Sequence, residues 1–133
     1  MNITNLTDDQ KRIAIAEALG SKWIKDGFGE WHLRRPDQIA KFKPEWVKEN
    51  SNPSPEEKEG FRAPRWVPDY VNDLNAMADA SHTLSDDAFE NYLGVLQSVC
   101  GIKPPHLWGV DGMLAIGRST AHQQANAFLL SPR

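Results

Sequence analysis

Two short segments of the 133-residue chain combine flat aromatic faces with fixed cations: Trp31-His-Leu-Arg-Arg35 and Phe61-Arg-Ala-Pro-Arg-Trp66. A guanidinium presents a planar fork of donors matching a phosphate or carboxylate, and an indole presents a face on which a base can stack. Trp31, Arg34, Arg35, Arg62, Arg65 and Trp66 are therefore the candidate ligand-binding residues. In the competing reading the tryptophans pack in the core beside ordinary surface arginines.

Other reactive side chains form weaker patterns. His32, His82, His106 and His122 show no His-x-x-x-His spacing, and no Cys-x-x-Cys pair exists, so no zinc motif is present. Asp79 and His82 are three residues apart, share a helical face and precede Asp86 and Asp87, an arrangement able to meet one cation but more often solvated or used at helix ends. Ser81, Ser119 and Thr120 lack a Gly-x-Ser-x-Gly elbow, and Ser119 and Thr120 read as caps. Cys100 falls on an apolar helix face, where a thiolate would be desolvated, and reads as packing. Gly109-Val-Asp-Gly112 lacks the Lys-Ser/Thr ending of a phosphate loop and reads as a turn. No cofactor and no metal are implied. The reading favoured is a non-enzymatic binder; the enzymatic alternative is a small nucleotide hydrolase with His82, Asp79 or His122 as acid or base.

The elements that must position these residues follow from local signals. Thr7 and Gln10 have capping-box spacing, and Ile13, Ile15, Ala16, Ala18 and Leu19 continue a helix that Gly20 can stop. Trp23, Ile24, Phe28, Trp31 and Leu33, broken by Asp26-Gly27, predict two short strands in a hairpin. Six of nine prolines fall between Pro36 and Pro68, and the polar stretch Asn50 to Gly60 predicts a loop or insertion at about 44–67. A helix capped by Asp69 and carrying Tyr70, Val71, Leu74, Met77 and Ala78 should pack, as an antiparallel pair or a bent one, with a second helix that starts at Ser85 and runs to Gly101. Met113 to Ile116 predicts a short buried strand. Thr120 and Gln123 open a last amphipathic helix. The fold class predicted is α+β: one small layered helix/strand/helix domain over 1–133, with a short, mainly antiparallel sheet and about four helices.

Composition narrows the partners. A hydrophobic fraction of 40% supports one modest core, and 18 acidic against 15 basic residues argue against a dedicated nucleic-acid binder. Charge is uneven: residues 1–67 hold 12 basic and 11 acidic side chains, while 68–133 hold 3 and 7, so an anion is drawn toward the first half. One cysteine allows no intrachain disulfide, Met1 to Gln10 lacks the pattern of a signal peptide, and no apolar run spans a bilayer, so a cytoplasmic protein without membrane contact is expected. Exposed tryptophans at 46, 66 or 108 would favour a homo-oligomer.

Three blocks carry a family likeness. Ile13-Ala-Ile-Ala-Glu-Ala18, Pro68-Asp-Tyr-Val-Asn-Asp-Leu-Asn-Ala-Met77 and Ser119-Thr-Ala-His-Gln-Gln-Ala-Asn-Ala-Phe-Leu129 resemble, in that order, segments of phage and prophage proteins with the phage ABA-sandwich domain. Gln124 and Asn126 stand where that family usually carries Arg and Glu. The resemblance implies a layered fold and a phage or prophage origin, and brings no general activity with it. Together with the Arg/Trp segments it leads to an expected accessory protein of anti-defence type. Its expected partner is a host factor or a small anionic, nucleotide-type signal, with a module that contacts a host polypeptide as a further alternative.

Overall fold

The computed structural model describes residues 3–39 and 52–132. After a 3-10 turn at Ile3–Asn5, α1 (Asp8–Ala18) begins where the Thr7 hydroxyl accepts the Gln10 N–H and the Gln10 side chain accepts the Thr7 N–H. It ends on Gly20, whose φ of +105° lets the N–H groups of Gly20 and Ser21 return to the carbonyls of Glu17 and Ala16. The predicted start and stop of this helix hold, as does the burial of Ile13, Ile15 and Ala16, whereas Ala18 is exposed and Leu19 half-buried.

Strands β1 (Lys22–Lys25) and β2 (Trp31–Arg34) form the predicted antiparallel hairpin, with Trp23 opposite Leu33 and Lys25 opposite Trp31. The left-handed residue of its loop is Gly29, at φ +83°, rather than Gly27. One turn of helix, α2 (Pro36–Ile39), follows. The polar stretch predicted as loop contains α3 (Pro55–Glu59), started by a Ser54/Glu57 capping box with proline in its first turn, where a missing N–H costs nothing. Residues 44–51 of the predicted loop, including Trp46, lie outside the described residues.

α4 (Leu74–Ser81) starts four residues later than predicted, because Asp73 rather than Asp69 caps it, accepting the N–H groups of Asn75 and Ala76. Asp69 instead accepts, through its carbonyl, the N–H of Asp73 at 2.8 Å, closing a turn that buries Tyr70 and Val71 without helix. α5 (Asp86–Val99) begins at Ser85 and stops at Gly101 as predicted.

The predicted buried strand at 113–116 is absent. Those residues belong to a helix, α6 (Val110–Arg118), and Met113 and Leu114 are exposed. α7 (Ala121–Leu130) closes the chain from the Thr120/Gln123 capping box.

The described residues form a mostly helical α+β fold, with seven α-helices against one two-stranded ribbon. The excess over about four helices consists of the single turns α2 and α3, together with α6.

α7 is the hub of the packing, meeting α1, α4 and α5. Its buried Ala121, Ala125 and Ala127 let neighbours approach closely, while Phe128 fills the centre with its ring edge-on to Tyr92 at 6.2 Å. α4 and α5 thus meet mainly through α7 rather than packing directly on each other as an antiparallel or bent pair. Trp23 and Leu33 of the ribbon, with Val67, Tyr70 and Val71, belong to the same buried cluster.

Candidate ligand cleft

The hairpin register decides which of its side chains can work together. Directly opposed residues share a face, so Trp23, Lys25, Trp31 and Leu33 lie on one side of the ribbon and His32 and Arg34 on the other. Trp23 is buried and its ring meets Phe61 at 4.9 Å, which carries the segment 61–64 alongside β2. The result is a cleft of about 180 Å³ lined by Trp23, Trp31, His32, Leu33, Arg34, Phe61, Arg62 and Pro64.

Its walls are fixed from behind by α3. Lys58 Nζ donates to Glu17 Oε2 at 2.8 Å, and the Trp23 indole N–H donates to the same oxygen at 3.1 Å. Glu57 Oε2 accepts the indole N–H of Trp31 at 2.9 Å. The backbone N–H of Ser54, and next this indole, hold the Glu57 carboxyl below its usual range. Lys25 Nζ stands 5.4 Å from the centre of the Trp31 ring. The polar edge of Trp31 is thus committed to Glu57, and the Lys25 ammonium stands over its ring.

Three of the six candidates, Trp31, Arg34 and Arg62, border this cleft, with Arg34 on the opposite face of the ribbon from Trp31. Arg35 and Trp66 pair with each other, guanidinium over ring at 5.9 Å, and Arg35 Nε also stands 3.5 Å from Asp37. Arg65 is exposed. Those three do not line the cleft.

The hairpin loop brings together a group that sequence spacing alone passed over. Ligand atoms of Asp26, Glu30 and His32 lie within 4.8 Å of one another, a donor set suited to a divalent cation. Asp26 already uses both oxygens: Oδ1 accepts the N–H groups of Phe28 and Glu30 at 2.8 and 2.9 Å, and Oδ2 meets His32 Nε2 at 2.8 Å. The His32 bond first, then that from Glu30, lowers the Asp26 pKa. These contacts fold the loop. Asp26 and Glu30 face each other across the turn, while His32 stands opposite Ile24, so the spacing of the three carries no simple motif.

The residues of the hydrolase alternative are dispersed. Asp79 lines a separate cleft of about 430 Å³ with Tyr70, Asp73 and Thr83; His82 caps the exposed end of α4; His122 Nε2 lies 3.4 Å from Lys11 Nζ. Cys100 is half-buried, its thiol pushed up by burial and directed at the Ala115 carbonyl, as expected of a packing residue. Gly109 and Gly112 open α6 rather than forming a free turn.

No protein-family model matches the chain, and comparison with curated proteins and with solved structures gives no match. No helix of the described residues is long and apolar enough to cross a membrane.

Proposed function

We propose that this chain is a non-enzymatic binding protein for a small anionic, nucleotide-type ligand, with the cleft between β2 and residues 61–64 as its site. The observation that carries this reading is that Trp31, Arg34 and Arg62 all border one cleft walled by Trp23 and Phe61. At about 180 Å³ the cleft is smaller than the roughly 300–1,000 Å³ that encloses a whole drug-sized ligand, so it takes one planar ring and leaves the phosphate outside on the arginines. The resemblance to phage ABA-sandwich proteins adds a layered fold, a phage or prophage origin and a role in the host cytoplasm, where sequestering a nucleotide signal would blunt a defence response.

Calorimetric titration with AMP, ADP-ribose and cyclic dinucleotides tests it. At least one should bind, and Arg34→Ala and Arg62→Ala should each weaken that binding about 10–100-fold, the worth of one charge-assisted hydrogen bond of about 1.5–3 kcal/mol. Arg65→Ala should leave it unchanged. Absence of heat with every compound, or equal binding by all three variants, overturns the proposal.

A further inference from the structure

The outward side of α6 is apolar along its length. At 100° per residue, Met113, Gly117, Val110 and Leu114 fall within about 100° of arc, and all four are exposed, Val110 at 77% and Met113 at 52%. The opposite side holds Gly112, Ala115 and Ile116, which are buried or half-buried. A helix apolar on both sides belongs between two partners. Among the described residues, α5 is the one element that packs extensively against it.

Two further features sit at this helix. Trp108, just ahead of it, holds φ +65°, a left-handed conformation rare for a bulky residue, and keeps its indole 45% exposed. The backbone N–H of Trp108 is pinned by Oε1 of the fully buried Gln97 at 2.7 Å. Backbone strain held in place by a buried side chain, with an aromatic group at the surface, is characteristic of contact sites. The second feature is charge: Asp111 and Arg118 are seven residues apart, hence two turns apart on the same border of the apolar stripe, and neither forms an ion pair among the described residues.

We propose that this face binds a second copy of the chain, with the two α6 helices antiparallel about a two-fold axis level with Leu114 and Ala115. In that arrangement Asp111 of each copy stands level with Arg118 of the other, on the same side of the seam, while the apolar stripes meet. Parallel pairing about a two-fold would leave Asp111 and Arg118 of the two copies at different levels and on opposite sides of the seam, with no opposite charge facing either. The surface is thus complementary to itself, which singles out a second copy over an unrelated partner. The inference is independent of the ligand cleft.

Sedimentation velocity of the full chain tests it. The protein should be dimeric at micromolar concentration. Asp111→Lys alone sets Lys against Arg118, and Arg118→Glu alone sets Asp111 against Glu, so each should self-associate at least about tenfold more weakly. Mixed in equal amounts, the two variants should form a one-to-one heterodimer, since both opposite-charge pairs are then restored. Met113→Lys, at an exposed position, should be monomeric with an unchanged circular dichroism spectrum. A monomeric wild-type chain at about 1 mM, single variants that dimerise like wild type, or a mixture that stays monomeric overturns the proposal.

Discussion

Asp26 collects three hydrogen bonds in a loop otherwise made of two glycines, an exposed phenylalanine and a glutamate, so the geometry of the hairpin end depends on one ionised carboxylate. Its folded pKa lies below the ordinary 3.8, so the unfolded chain takes up that proton first as pH falls. The stabilisation is complete above about pH 4 and is lost as pH drops through the folded value. Asp26→Asn should therefore lower stability at pH 7 and flatten the acid limb of a melting-temperature profile between pH 5 and 2. Parallel profiles for the two proteins would show that the loop does not use this charge. At the alkaline end, burial pushes the Tyr92 hydroxyl to about 12, which places a corresponding loss of stability as pH rises from 10 through that value. At this scale the sequence was partly legible. Trp31, Arg34 and Arg62 stood out because their chemistry is intrinsic, whereas the pairing of Arg35 with Trp66 depends on two segments meeting in space, which spacing does not encode.

Elements announced by their own caps were readable from sequence: Thr7, Ser85 and Thr120 each bond an N–H three residues on, a local contact that needs no tertiary context. α3 carries the same signal in Ser54 and Glu57, but its polar composition hid it. α6 was misread because Met113 to Ile116 is a short apolar run without period, and Gly112 breaks the pattern that would have joined it to Val110. That glycine is required by close packing. A Cβ at position 112 would lie on Gln97 Oε1, 3.0 Å from its Cδ and 3.4 Å from the His106 carbonyl. Gln97 cannot swing aside, because it is fully buried, holds the Trp108 N–H and donates to the Leu93 carbonyl. Gly112→Ala should accordingly cost about 1–3 kcal/mol, measured by urea unfolding. A neutral or stabilising result, as expected for alanine in an unobstructed helix, would mean that Gln97 does not fix the start of α6.

On the scale of the whole molecule, an alanine-rich closing helix gathers α1, α4 and α5, Glu17 of α1 ties in the ribbon through the Trp23 indole N–H and α3 through Lys58, and Arg12 secures the segment before α4 by donating to the carbonyls of Val67 and Pro68. The blocks that resemble phage proteins fall mainly on this helical scaffold, and the cleft is built by the less family-like stretches on either side of 40–51. The α+β class was legible because helical periodicity and a turn signal between aromatic runs are short-range patterns; the dominance of α7 was not, since alanines signal close approach only once their neighbours are known. The cleft ties scaffold to function, and the most direct test is to watch its tryptophans. In 1H–15N spectra titrated with AMP and cyclic di-AMP, the indole N–H signals of Trp23 and Trp31 and the amides of Arg34 and Arg62 should move together in saturable fashion, while the Trp108 indole stays in place. Spectra unchanged to millimolar ligand, or shifts centred on Trp108 and α6 instead, would contradict the account.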